Sequence, residues 1–241
     1  MRYLLYYWPS IQGRGEFVRL ALEEASADYV DVARRSGRGM GMPAMERFLD
    51  DEKLAAAPYA PPFLKAGKHI IGQTANILLY LGPRHGLAPR NEAGRIWVSQ
   101  LQLTIADFVT EIHDTHHPIA NTLYYHQQKA EARRRTKYFR AERMPKFLGY
   151  FEQVLSGSGK GRRYLAGTTL SYADLSVFQL IAGLRYAFPK AMKRLEPDYP
   201  GLVGLHDRIA ARANIAAYLA SKRRIPFNQS GIFRYYPELD G

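Results

Sequence analysis

The stretch from Tyr59 to Leu81 holds the residues best placed to do chemistry. It runs Pro61-Pro62, a short apolar run from Phe63, the turn Ala66-Gly67-Lys68, a return run His69-Ile70-Ile71, a break at Gly72, and then Gln73-Thr74. Ile77, Leu78, Tyr80 and Leu81 follow at helical spacing, so Gln73 and Thr74 open a helix. A helix start presents unpaired amide donors and the positive end of the dipole, which attract carboxylates and phosphates. The Pro61-Pro62 bond is an X-Pro bond ahead of a strand, one of the few places where a cis peptide can occur. Pro61 has no N–H, so only its carbonyl can serve a ligand. The same spacing also suits an ordinary hairpin packed by a helix, and on residues alone both readings stand.

A second candidate is His113-Asp114-Thr115-His116-His117. His113 and His117 stand four apart on one helix face, as in a zinc pair. No Glu follows His113 in the protease pattern and no third ligand is evident, so no metal is expected. The 241 residues include no cysteine, which excludes disulfides, zinc thiolates and any cysteine nucleophile. The net charge is +12, so a nucleic-acid partner must be weighed. The cations are dispersed, however: Arg34, Arg35 and Arg38; Arg133 to Arg135; Arg162 and Arg163; Lys222 to Arg224. None forms a nucleic-acid module, and a solvated basic surface is the preferred reading.

These residues need elements to hold them. Apolar content of 46% and charged content of 23% are those of a soluble globular protein. No apolar run is long enough to span a membrane, and the first residues lack a signal-peptide plan, so a cytoplasmic protein is expected. Tyr3 to Trp8 reads as a buried strand ended by Pro9. Arg14 opens a helix with Phe17, Val18, Leu20 and Ala21 inward and Arg19 outward. Tyr29 to Val32 alternates as a second strand, which implies a parallel pair with a right-handed crossover. A Gly- and Arg-rich loop covers Arg34 to Pro43, and Ala44 to Leu54 reads as a short helix. With the hairpin and its helix the order is β-α-β-α-β-β-α, a thioredoxin-like domain over residues 1–84. Residues 85–91 are linker chemistry, and 92–241 form an all-helical domain with a C-terminal tail. There, helices are expected from Glu92 to about Ala120, from a cap at Asn121 to about Leu155 with a kink at Pro145, from Tyr172 to about Phe188, from Pro197 to Arg212, and from Asn214 to Ser221. Ser156 to Arg163 reads as a Gly/Ser loop, and Ser171 with Asp174 as a capping box.

The proline, hairpin, Gly-Gln-Thr and helix succession resembles the glutathione-binding half of a glutathione S-transferase, and the likeness extends over almost the whole chain. Tyr7-Trp8-Pro9 followed by Gly13-Arg14 is similar to the opening of the tyrosine-type, sigma/pi/mu/alpha-like members, with a loop one residue longer. Tyr6 is adjacent, and strand alternation puts it on the opposite face. Tyr7 precedes the aromatic-Pro pair, so Tyr7 is taken as the catalytic residue. The resemblance implies that Pro61 and Pro62 pair with the tripeptide backbone and that Gln73 and Thr74 hold its γ-glutamyl carboxylate. Asp107 would reach across a homodimer interface to the γ-glutamyl ammonium. Lys53, favoured over Arg47, would hold the glycyl carboxylate, and Arg14 would orient Tyr7 or polarise the sulfur. Trp8, Ile11, His113 and His117 would line the electrophile pocket.

The implied activity is detoxification-type attack of the glutathione thiolate on hydrophobic electrophiles, with glutathione as co-substrate and no metal. A phenol suits this because its pKa near 10 keeps it protonated as a donor to a thiolate. Three alternatives remain: a non-catalytic relative that binds glutathione or apolar ligands, a glutathione-dependent isomerase or peroxidase, and, less favoured, a basic structural or nucleic-acid-associated adaptor. Neither a nucleic-acid nor a membrane partner is expected.

Overall fold

A computed structural model describes residues 1–157 and 163–241. Residues 158–162, within the expected Gly/Ser loop from Ser156 to Arg163, lie outside the described residues. The N-terminal part is a four-stranded sheet in the order β2-β1-β3-β4, built from β1 (Tyr3–Tyr6), β2 (Tyr29–Asp31), β3 (Phe63–Ala66) and β4 (His69–Gly72). β1 runs parallel to β2, with Tyr3 opposite Tyr29, and antiparallel to β3, with Tyr6 opposite Phe63. Two helices, α1 (Gly15–Glu24) and α3 (Thr74–Arg84), pack on one face, where Tyr3, Leu5, Val18, Leu22, Leu64 and Ile77 are buried together. The helix α2 (Met42–Leu49) covers the other face, against Tyr6, Val32 and Phe63. Side chains alternate along β1, so each face of the sheet receives its own apolar set. This is the expected thioredoxin-like arrangement.

The helical part begins with α4 (Glu92–Asp114). It stops six residues short of the expected Ala120, ahead of Pro118, because the residue before a proline is disfavoured in the helical region. Asn121 caps nothing. Buried Gln128 instead shapes residues 119–128, accepting from the Ile119 amide at 3.0 Å and donating to the Ala120 and Leu123 carbonyls at 3.2 and 2.9 Å. α5 (Lys129–Tyr138) and α6 (Met144–Ser156) continue one another through a π turn over Phe139–Arg143, just ahead of Pro145. The wider turn is how the ladder accommodates the missing proline donor. α7 (Tyr172–Ala187) is the buried centre of the helical part. Its capping box is present: the Asp174 carboxylate accepts from the Ser171 amide at 2.7 Å and from the Leu165 amide at 2.8 Å. α8 (Pro189–Leu195), α9 (Pro200–Ala210) and α10 (Ala213–Leu219) follow. The tail then folds back, with Phe227 stacked on Tyr186 and Tyr236 on Tyr125. No helix among the described residues is long and apolar enough to cross a membrane.

Arg19 is the main departure from the sequence reading. It is fully buried instead of facing outward. Its guanidinium bonds Asp31 of β2 at 2.7 Å and Glu16, one turn back on α1, at 3.2 Å. Glu16 in turn accepts from the Tyr218 hydroxyl of α10 at 2.7 Å and from Arg224. Gln12 and Gln179 of α7 pair at 2.7 Å, and Arg224 also donates to Gln179 at 3.0 Å. One polar chain thus ties the sheet, α1, α7, α10 and the start of the tail. Breaking a buried pair strands its partner charges, so Arg19→Met is expected to cost about 3–5 kcal/mol. Denaturant unfolding of wild type and variant checks this.

Candidate functional site

The site is built at the C-terminal end of β1 and the start of α1. β1 ends at Tyr6 rather than Trp8, and Pro9 turns the chain into a loop that reaches α1 at Gly15. The two adjacent tyrosines separate as the pleat requires. Tyr6 stacks on Phe63 with ring centroids 4.6 Å apart and meets Phe48 edge-on, inside the core under α2. Tyr7 points the other way, and its hydroxyl accepts a hydrogen bond from the Arg14 amide at 2.8 Å, at the open N-terminus of α1. Having accepted there, the hydroxyl keeps its own proton free to donate. Burial pushes the Tyr7 hydroxyl pKa up, against the lowering effects of the Arg14 amide and the Arg14 and Arg19 charges. It therefore stays protonated at neutral pH.

Two glycines make the seat for this ring. Gly13 has φ +46°, and a side chain there would lie 2.0 Å from the Tyr7 hydroxyl oxygen. At Gly15 a Cβ would lie 2.5 Å from the ring. Arg19 adds a further support, with its guanidinium 5.7 Å from the Tyr7 ring centroid. It also donates to the carbonyls of Ile11 and Gln12 at 3.3 Å each, holding the loop between Tyr7 and α1.

The second part of the site is the junction of β4 and α3. The Pro61-Pro62 peptide is cis and leads directly into β3. Gln73 is the residue before α3 and adopts φ +67°, a left-handed conformation that a non-glycine residue takes only when its surroundings hold it there. Its side chain makes no cap and is exposed, and α3 starts with its first amides open. The Thr74 hydroxyl donates to the Arg14 carbonyl at 3.4 Å, so the two helix starts meet. Both residues line a cavity of about 30 Å³ closed by Gln102, Ile105 and Ala106 of α4.

The histidines form the third part. His113 stacks on His117 at 5.1 Å and meets His116 edge-on. His116 bonds the Ile232 carbonyl through Nε2 at 2.7 Å and His117 through Nδ1 at 2.5 Å. A carbonyl only accepts, so Nε2 carries the His116 proton, and His117 donates to His116 Nδ1. Burial and then Arg234 pull His116 down to about 2 and His117 to about 4. Burial also lowers His113, with Arg14 acting in the same direction. All three are neutral at pH 7. Among the described residues no group of three or more His, Asp or Glu side chains is arranged to hold a metal.

The structure thus brings Tyr7, Arg14 and Thr74 together, with Gln73 next to Thr74 in the chain and Pro61-Pro62 just ahead of β3. Among the described residues no hydrogen bond or ion pair ties Lys53 or Asp107 to them. Lys53 is exposed beyond α2, and its amide bonds Asp51. Asp107 is exposed on α4, in a groove of about 680 Å³ that includes Leu79, Pro83, Ile96 and Leu103. Trp8 is 40% exposed and Ile11 half-buried, both on the loop after β1. Sequence reasoning missed Gln12 and Arg19. A lone cation inside Phe17-Val18-Arg19-Leu20-Ala21-Leu22 was the available signal.

Gly15→Ala is expected to displace the Tyr7 ring and cost about 1–3 kcal/mol by overpacking. A thermal melt and the loss of Tyr7 protection in a solvent-accessibility probe check it. The His116 pKa is lower in the folded state than in the unfolded chain, which then binds more protons as the pH falls below about 6.5. Stability should drop on that acid side by about 1 kcal/mol per pH unit from His116. The acid-side slope of unfolding free energy should be shallower in His116→Asn.

Residues 113–222 match the family model for the glutathione S-transferase C-terminal domain. A glutathione S-transferase of Plasmodium falciparum is 24% identical over 225 residues, 91% of this chain and 96% of that one. Glutathione S-transferase P 1 of Xenopus laevis is 26% identical, covering 92% and 93%. The structure of a Pi-class glutathione S-transferase from Onchocerca volvulus superposes with a TM-score of 0.73 over 96% of this chain and 99% of that one, at 21% identity. Residues 113–222 thus match the glutathione S-transferase C-terminal domain, and nearly the whole length of the chain is similar to glutathione S-transferases in sequence and in fold.

Proposed function

We propose that this protein is a tyrosine-type glutathione transferase that conjugates the glutathione thiolate to hydrophobic electrophiles. The observation that carries this reading is the Tyr7 hydroxyl, seated between Gly13 and Gly15 and accepting from the Arg14 amide with its proton left to donate. A thiol with pKa about 8.5 is mostly protonated at neutral pH. A hydrogen bond donated to its sulfur favours the thiolate, which is the nucleophile. Tyr7 lowers the cost of that charge and forms no covalent bond itself. The thiol proton leaves to solvent, and the sulfur lone pair forms the new carbon–sulfur bond as the electrophile's leaving group departs to solvent with its bonding pair or, in an addition, as its π bond opens and the resulting anion takes a proton from solvent.

In this reading the open amides at the start of α3, with Gln73 and Thr74, receive the γ-glutamyl carboxylate. The left-handed Gln73 turns the chain so that those amides face the cleft. The Pro61 carbonyl, ahead of Pro62, accepts from the tripeptide backbone. Lys53, exposed and without an ion pair among the described residues, reaches the glycyl carboxylate. Trp8, Ile11 and the neutral faces of His113 and His117 border the electrophile.

The active form is a homodimer in this account, acting in the cytoplasm. Leu79, Ile96 and Leu103 are 42%, 62% and 57% exposed in the same groove as Asp107, an apolar surface that a second copy would cover. Asp107 of one copy would then meet the glutathione ammonium of the other.

Replacing Tyr7 by Phe removes one hydrogen bond to a charged group and keeps the ring. Turnover with glutathione and a generic aromatic electrophile is expected to fall by about 10- to 100-fold. Glutathione binding measured by calorimetry should stay within a few-fold of wild type. Binding without turnover in wild type would move the reading to a non-catalytic relative, and no binding would end it.

A further inference from the structure

On a different face, a second concave site lies between the residues that follow β2 and the turn that follows α10. It is a cleft of about 300 Å³ lined by Tyr29, Asp31, Arg34, Arg35, Lys222 and Arg223. Four cations meet there from two walls. The Arg34 guanidinium ties the walls, donating to the Arg223 carbonyl at 2.6 Å and the Lys222 carbonyl at 3.5 Å. It also stands 3.8 Å from Asp31. Asp31 is already held by Arg19 at 2.7 Å, and Arg223 pairs with Glu23 at 2.9 Å. Each carboxylate is therefore paired with an arginine, Asp31 through Oδ2 alone, its Oδ1 being buried without a partner. Arg35 on one wall and Lys222 on the other are exposed, and among the described residues neither has a carboxylate within ion-pair distance.

We propose that this cleft binds a small soluble oligophosphate, a di- or triphosphate anion. Charge and shape carry the proposal. Two cations without ion pairs line a cleft whose walls are tied by the Arg34 side chain, so the complementary ligand spreads negative charge to both walls. The planar fork of Arg35 suits phosphate oxygens, and the Lys222 ammonium supplies a point charge opposite. A volume of about 300 Å³ is at the lower end of ligand pockets and gives room for linked phosphates. An extended nucleic acid would need a stripe of cations along an open surface rather than a closed pair of walls. None of these six residues takes part in the thiol chemistry assigned to Tyr7, so the cleft is a separate site.

The test is calorimetric titration of inorganic tripolyphosphate into the full chain at fixed ionic strength, with sulfate titrated in parallel. One saturable site per chain is expected, with sulfate binding more weakly. Arg35→Ala and Lys222→Ala should each weaken tripolyphosphate about tenfold, as for loss of one charge-assisted bond. Lys193→Ala, a distant surface cation, should change nothing, and unaltered thermal melts would show that the variants fold. The proposal is overturned if tripolyphosphate shows no saturable binding, or if the Arg35 and Lys222 variants bind it as wild type does. It is also overturned if duplex DNA displaces it with no dependence on those two residues.

Discussion

The buried guanidinium of Arg19 is the interaction on which the rest of the molecule depends. A charge with no solvent access survives only when its partners are fixed, and here they are fixed from several directions. Asp31 comes from the second strand, Glu16 from the same helix, and the Ile11 and Gln12 carbonyls from the loop. Each partner is in turn held by something else, Glu16 by Tyr218 and Gln12 by Gln179. The sheet and the helical part therefore cannot slide past one another without exposing or stranding charge. Apolar contacts alone would be more tolerant, because dispersion and burial carry little directional information.

In the proposed reading that rigidity serves a small piece of chemistry. The loop from Pro9 to Arg14 contains no regular structure, yet it must hold the Tyr7 hydroxyl to hydrogen-bond accuracy. It does so because Arg19 binds its carbonyls from below, the Asn228 side chain of the tail donates to the Ser10 carbonyl at 2.8 Å, and two glycines admit the tyrosine ring. The tail returns a second time at Ile232, whose carbonyl fixes His116 and through it His117. Residues more than a hundred positions apart thus fix the Tyr7 loop and the histidines. In the proposed reading the glutathione side is organised locally, by one strained residue at Gln73 and one helix start, while the electrophile side is organised by the tail.

Much of the fold was legible in the chain, for physical reasons that differ by region. The β-α-β opening and the hairpin announced themselves through strand alternation and turn glycines, and the Ser171/Asp174 box through capping chemistry. The region around residues 115–128 misled because its order comes from one buried side chain, Gln128, whose bonds to three backbone groups leave no periodic trace. Arg19 misled for a related reason: helical periodicity assigns a cation to solvent, and only a partner twelve residues away reverses that. At the site, the type and order of Tyr7, Arg14, Pro62, Gln73 and Thr74 could be read from motif resemblance. The left-handed Gln73, the Gln12 bridge and the approach of Arg234 to the histidines are products of tertiary packing, and no local pattern encodes them.

The central claim is that the Tyr7 proton, held free at the start of α1, makes the bound sulfur a thiolate at neutral pH. It is tested most directly by following the ultraviolet absorbance of the thiolate as the glutathione complex is titrated with base. The account requires the bound thiol to titrate at least one pH unit below the free value of about 8.5, and to return toward that value in Tyr7→Phe. A bound thiol that titrates as it does in solution, or equally low with and without the Tyr7 hydroxyl, would contradict it.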